Sequence, residues 1–219
     1  MKNILFQGDS ITDCSRDKSD WVRKTRCPSR LGHGYPLLVG SRLALDFPNE
    51  YNVENRGISG NRIVDLYARI KVDLINLCPD YLSILIGVND VWHEIDQKNG
   101  VSAEKFEVVY RLMLDEIRAA LPACKILLLS PYVLPGDATV NEEKPERWEY
   151  FRTEVPLRAA VVKKVAQDYP VSLIETQPLF DEAQNHVNAK DLLVDGVHPG
   201  PAGHELLARH YMDWFRSVR

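Results

Sequence analysis

The 219-residue sequence predicts an α/β fold: a doubly wound, mostly parallel sheet with helices on both faces. Three observations carry that prediction. Short apolar strand patterns alternate with helical patterns five times along the chain. One run, Tyr81 to Ile86, is apolar almost throughout, as a central strand covered on both faces must be. No Pro/Gly/Ser-rich linker divides the chain, so residues 1–219 read as one domain, long enough to bury a sizeable core without staples.

The first strand, Ile4 to Phe6, breaks at Gly8 and delivers Asp9 and Ser10 at its carboxyl end. Ser10 then has two readings. It is a preferred helix N-cap, or it is a reactive hydroxyl at the strand end where open α/β sheets bind ligands. Ile11 to His33 is polar and reads as a long loop, with Arg16, Lys18, Arg23, Lys24, Arg26 and Arg30 among Asp13, Asp17, Asp20 and Trp21. A solvated loop or subunit contact suits it better than a phosphate site.

Gly34-Tyr35-Pro36 opens a helix whose apolar face runs to Phe47 and stops at Pro48. Tyr51 to Asn55 alternates and reads as a second strand near an edge. The turn Arg56-Gly57-Ile58-Ser59-Gly60-Asn61 leads into one helix, with Ile63, Leu66, Ile70, Leu74 and Leu77 near a 3.6-residue period. The third strand, Tyr81 to Ile86, ends in Gly87-Val88-Asn89-Asp90. An amphipathic helix near Ala103 to Leu121 follows, then a fourth strand, Lys125 to Leu129. Asp137 to Glu149 reads as a charged loop, Arg152 to Tyr169 as a helix carrying Pro156, and Val171 to Ile174 as the fifth strand. An irregular stretch leads to Asp195-Gly196-Val197-His198-Pro199, and Ala202 to Phe215 is the closing helix.

Composition excludes several classes. A net charge of −4 offers no electrostatic footprint for nucleic acid and no attraction to an anionic membrane. No run of 18 apolar residues occurs, and no signal-type apolar segment precedes the first strand, so a cytoplasmic protein is expected. Cys14, Cys27, Cys78 and Cys124 form no CxxC pair. Free thiols are expected, with Cys78 and Cys124 as small core residues, while pairing of Cys14 with Cys27 stays open. No His/Cys/Asp/Glu set has zinc spacing and no GxGxxG follows the first strand, so neither a metal nor a cofactor is expected.

Right-handed crossovers bring every strand's carboxyl end to one rim. Four polar clusters meet there: Gly8-Asp9-Ser10, Gly57-Ile58-Ser59-Gly60-Asn61, Gly87-Val88-Asn89-Asp90 and Asp195-Gly196-Val197-His198. Their chemistry is complementary. A serine hydroxyl needs an adjacent base, and His198 is available. Asp195, three residues earlier, can hold the imidazole tautomer. The Ser10 N–H, the Gly60 N–H and the Asn89 side-chain amide can donate to an oxyanion, with Gly60 open to close approach and Asn89 donating without charge.

These four clusters, in order across nearly the whole chain, resemble the catalytic blocks of the SGNH (GDSL-type) hydrolases. The resemblance implies a flavodoxin-like three-layer α/β/α sandwich with a five-stranded parallel sheet of order 2-1-3-4-5. It implies Ser10, Asp195 and His198 as the catalytic triad, and Ser10, Gly60 and Asn89 as the oxyanion hole. Within the family the sequence is most similar to intracellular carbohydrate acetylesterases, acetylxylan esterases above all. That similarity rests on Gly8 to Cys14, Gly32-His33-Gly34-Tyr35, Asn55 to Asn61, Ile86 to Trp92, and Val197-His198-Pro199 followed by Ala202-Gly203-His204. The implied partner is a small acetylated carbohydrate, and the relatives are often homo-oligomers.

Other residues carry paired readings. Asp9 is expected to hydrogen-bond behind the nucleophile, and Asp90 to cap the helix that follows it. Trp92 is either a wall of the acyl or sugar site or a packing residue. Trp214 is expected in the core. His33 and His93 border the site or sit as ordinary loop histidines, and His204 is expected to be structural. Two alternatives remain at this stage. A lysophospholipase or acyl-thioesterase uses the same blocks but needs a long apolar groove. A sugar-binding or assembly protein keeps the fold without the chemistry.

Overall fold

Alternation along β1 (Lys2–Gly8) divides its side chains between two cores in the computed structural model, which describes residues 1–25 and 27–219. Arg26, and the side chains of Asp20, Arg23 and Lys24 from the basic early stretch, lie outside the described residues. Ile4 and Phe6 face one core and Leu5 the other, as the two-residue period of a strand requires. The same division holds in β3 (Tyr81–Leu85) and β4 (Lys125–Leu129), where Leu82, Ile84, Ile126 and Leu128 join Leu5 and Tyr81, Leu85, Leu127 and Leu129 join Ile4. With β2 (Tyr51–Asn55) and β5 (Ser172–Ile174) these strands form one parallel sheet of order β2-β1-β3-β4-β5.

The first core lies under α3 (Tyr35–Asp46) and α11 (Pro201–Val218), which pack on each other through residues such as Val39, Leu43, Leu207 and Tyr211. The second lies under α4 (Ile63–Ala68), α7 (Ala103–Ala120) and much of α8 (Glu146–Asp168). Phe151 and Val155 of α8 reach the first core, whereas Val162 and Val165 stay in the second. The three-layer flavodoxin-like sandwich is therefore present, in the expected strand order. Strand order reverses between β1 and β3, the switch point at which open α/β sheets bind ligands. Gly8 pairs with Leu85 there, so the segments leading to Ser10 and Asn89 leave the sheet side by side.

Several elements differ from expectation. Ile11 to His33 is not one loop: it holds α1 (Ser10–Asp13), α2 (Asp20–Thr25) and a 3₁₀ turn, Pro28–Leu31. Turns of four to six residues are too short to show a helical period. Asn55 fixes the stretch at both ends, its amide donating to Thr12 O at 2.6 Å and Leu31 O at 2.9 Å. The expected helix from Ile63 is broken into α4, α5 (Ile70–Asp73) and a 3₁₀ turn. The break is at Arg69, whose side chain turns back to Asn61 Oδ1 at 2.8 Å and Arg56 O at 2.9 Å.

α8 starts six residues before Arg152, with Glu146 and Glu149 favourably placed in its first turn. The stretch after β5 holds α9 (Thr176–Ala183) and α10 (Ala189–Leu192). Cys78 is exposed rather than in the core, because it ends a 3₁₀ turn in the left-handed conformation; Cys124 is buried as expected, and all four cysteines are free. Trp214 packs in the first core. Among the described residues no helix is long and apolar enough to cross a membrane.

Candidate active site

Asp9, not Ser10, caps α1: its Oδ1 accepts the Ile11 N–H at 3.0 Å. Ser10 is thereby left at the first helical position with its hydroxyl free. That hydroxyl lies 2.8 Å from His198 Nε2. His198 Nδ1 lies 2.7 Å from Asp195 Oδ2. An ionised carboxylate only accepts, so Nδ1 carries the proton and the Nε2 lone pair faces Ser10. Asp195 Oδ1 also accepts the Val197 N–H at 2.9 Å and the His198 N–H at 2.8 Å. The loop is closed by a bridge between Leu193 and Pro199 and by the Val194 N–H donating to His198 O at 2.8 Å.

These bonds set the charges. Burial works to raise the Asp195 carboxyl, but the donors from His198 and Val197 outweigh it and hold it at about 2. The Asp195 hydrogen bond raises His198 above the ordinary imidazole value, against an opposing burial effect. Asp9 is fully buried, and desolvation pushes its carboxyl up to about 7. Its second oxygen has no hydrogen-bond partner among the described residues.

The second and third clusters are fastened to this centre by side chains. Asp13 of α1 accepts the Ser59 N–H at 3.0 Å, and Asn55 Oδ1 accepts the Gly57 N–H at 2.9 Å. Gly60 adopts φ +81°, a left-handed conformation that glycine takes without steric cost. A Cβ there would meet only His93 Nε2, at 4.0 Å, so the space on the side-chain side of Gly60 is open. Asn89, in the first turn of α6 (Val88–Gln97), donates from Nδ2 to Asn61 O at 3.2 Å, which leaves the second amide hydrogen free. The expectation for Asp90 is corrected. Its carboxylate accepts the Ile63 N–H at 3.1 and 3.2 Å, so it caps α4 across the rim rather than its own helix. Burial raises its carboxyl well above the usual range.

A cleft of about 690 Å³ opens beside Ser10 and His198. Ser15, His33, Ser59 and His204 give it polar walls, and Leu38, Val194, Pro199 and Pro201 apolar ones. His204 is buried, which lowers it to about 4 and keeps it neutral. Its Nδ1 accepts the Tyr35 N–H at 3.2 Å, so Nε2 carries the proton and points at Cys14 Sγ, 3.4 Å away. Trp92 does not line this cleft. Its ring stands 5.9 Å from that of His198, and its N–H is taken by Asp96 Oδ2 at 2.7 Å. Of the cleft residues, Cys14, His33 and His204 fall in the stretches on which the similarity to carbohydrate acetylesterases rests, although His204 reads from sequence as structural. Ser15, Leu38, Val194 and Pro201 lie outside those stretches.

Residues 6–206 match the model of the GDSL-like lipase/acylhydrolase family. The chain is 33% identical to an acetylxylan esterase of Geobacillus stearothermophilus over 226 residues, covering 99% of this chain and 97% of that protein. The crystal structure of an acetylxylan esterase from the same organism superposes with a TM-score of 0.79 at 33% identity, over 97% of this chain and 93% of that one. Variants of that esterase described as catalytic mutants replace a serine, an aspartate and a histidine by alanine. A crystal structure from Parabacteroides merdae assigned to the GDSL-like lipases superposes with a TM-score of 0.87 at 32% identity, covering 97% of this chain and 94% of that one. By family match, full-length identity and shared fold, this chain belongs to the GDSL-like lipase/acylhydrolase family.

Proposed function

We propose that the protein is a serine carbohydrate acetylesterase, removing O-acetyl groups from acetylated sugars, xylo-oligosaccharides foremost. The observation that carries this reading is the unbroken hydrogen-bond line from Asp195 through His198 to Ser10 at the edge of a cleft with both polar and apolar walls. Full-length similarity to an acetylxylan esterase supports the choice of substrate.

Ser10 Oγ attacks the acetyl carbonyl carbon as its proton passes to His198 Nε2. Asp195 stabilises the imidazolium that forms. The Ser10 N–H, the Gly60 N–H and the free Asn89 amide hydrogen receive the developing oxyanion. Collapse breaks the bond to the sugar oxygen, which takes the proton from His198. Water, deprotonated by His198, then attacks the acetyl-Ser10 ester; the bond to Ser10 Oγ breaks, Oγ takes the proton back from His198, and acetate leaves. The hydroxyls of Ser15 and Ser59 and the imidazole of His33 supply hydrogen-bonding groups for the sugar. Trp92 backs the imidazole and stands outside the sugar cleft in this scheme.

Acetate release from acetylated xylo-oligosaccharides, beside other acetylated sugars and a series of aryl esters, tests the reading. Preference for acetate over octanoate and for the xylo-oligosaccharide supports it. Preference for octanoate overturns it in favour of a lysophospholipase or acyl-thioesterase. A cytoplasmic homo-oligomer belongs to the same proposal. The four free thiols support the location, and light scattering after size exclusion reads the subunit number.

A further inference from the structure

The Asp195–His198 pair is supported from a second loop. Leu134 N–H donates to Gly196 O and Ala138 N–H to Asp195 O, both at 2.9 Å. Gly136 lies between them, so close that a Cβ would sit 2.4 Å from both the Asp195 carbonyl carbon and the Gly196 nitrogen. Fully buried Thr139 closes the turn, donating to Leu134 O and accepting the Gly136 N–H, each at 2.9 Å. The segment Leu134–Thr139 is thus a backbone cradle for the loop that carries the acid of the triad.

Arg147, in the first turn of α8, grips that cradle. Its Nε donates to Ala138 O at 2.6 Å. The same guanidinium donates from Nη1 to Asp96 Oδ1 at 2.6 Å and from Nη2 to Asp96 Oδ2 at 3.3 Å. Asp96 in turn holds the Trp92 N–H, and Trp92 packs against His198. Arg147 also lies over Trp92 and Phe151, 5.9 and 5.4 Å from their ring centres. One planar fork therefore joins the backbone behind Asp195 to the ring behind His198. A guanidinium can do this because its donors diverge in one fixed plane.

Stability alone is a weak reason for such an arrangement. The Asp96 side chain is 43% exposed, and ion pairs at that exposure contribute little. The residue is also absent from the lining of the cleft. The Arg147 guanidinium is turned inward, and only 15% of its side chain is exposed. We propose that Arg147 is a positioning residue for the Asp195–His198 pair, acting through Ala138 on one side and through Asp96 and Trp92 on the other. The proposal rests on the esterase reading of that pair.

Steady-state hydrolysis of a small aryl acetate by Arg147→Ala, Arg147→Lys and Asp96→Ala, with wild type and Ser10→Ala alongside, tests it. Folded fraction is measured for each variant. Arg147→Ala is expected to lose on the order of 10- to 100-fold in kcat, the scale of a small misplacement of catalytic groups. Its KM should stay within about twofold, because the residue does not touch substrate. Arg147→Lys should recover part of the loss, since an ammonium can reach one acceptor but lacks the fork. Asp96→Ala, which releases only the Trp92 arm, should lose less kcat than Arg147→Ala. Wild-type kcat in Arg147→Ala or in Asp96→Ala overturns the proposal. So does a loss confined to KM, or one fully explained by the unfolded fraction. Wild-type turnover by Ser10→Ala instead removes the esterase reading beneath it, so the two failures are distinguishable.

Discussion

Asp195 and His198 are joined by two hydrogen bonds to one carboxylate: Nδ1–H donates to Oδ2 at 2.7 Å and the His198 backbone N–H donates to Oδ1 at 2.8 Å. The first holds the ring and the second holds the chain that carries it. Replacement by asparagine keeps an acceptor but removes the charge and permits the wrong imidazole tautomer. Asp195→Asn is expected to lower kcat on an aryl acetate by roughly 10³- to 10⁴-fold, by analogy with the corresponding change in serine proteases. A loss below about tenfold in steady-state rate would contradict a role for Asp195 in catalysis.

The same bond sets the acid limb of the pH profile. Asp195 raises His198, and only the neutral imidazole accepts the Ser10 proton. Activity is therefore lost as pH falls through the raised value, and the kcat/KM midpoint should lie above the ordinary pH of about 6.5. The residual activity of Asp195→Asn should show its acid limb at lower pH than wild type. A shift to higher pH in that variant would show that another group controls the limb.

Asn89 tests the oxyanion donors. Its Nδ2 has one bond to Asn61 O and one free hydrogen. Asn89→Ala should reduce kcat by about 10²- to 10³-fold with a smaller change in KM. Asn89→Ala with the kcat of wild type removes Asn89 from the oxyanion hole.

Asp9 predicts a stability signature. Its folded value of about 7 lies above that of an unfolded aspartate, so its contribution is fully present below pH ~3.9 and is lost as pH rises through about 7. Between pH 5 and pH 8 that loss is on the order of 2–3 kcal/mol. Asp9→Asn keeps an acceptor for the Ile11 N–H and cannot ionise. Its unfolding free energy, measured by urea titration, should fall less than that of wild type across this interval. Parallel pH dependence in the two proteins would contradict the burial argument.

The sheet was legible from its short apolar or alternating runs, and three of the four clusters because a glycine and polar groups stand at the ends of β1, β2 and β3. Residue type and topology made Ser10, His198 and Asp195 candidates, and the resemblance to the SGNH hydrolases implied their roles. What was not legible depends on contacts between distant backbones. The bond from Ala138 to Asp195 O involves main-chain atoms only, so no residue type announces it. Asp90 was assigned to the adjacent helix because sequence shows adjacency along the chain, whereas its carboxylate reaches Ile63, 27 residues away. The helices of the early stretch are shorter than the window in which a period can be seen. Trp92 carried two readings, and its ring lies against His198 while its N–H is held by Asp96.

The central claim is that Ser10 carries the acetyl group between substrate and water. Rapid quenching during turnover of an acetylated xylo-oligosaccharide, followed by peptide mass spectrometry, reads this directly. The account predicts a single acetyl group on the Ser10 hydroxyl in wild type and an inactive, folded, unacetylated Ser10→Ala. Acetylation at another residue, or undiminished turnover by Ser10→Ala, would contradict it.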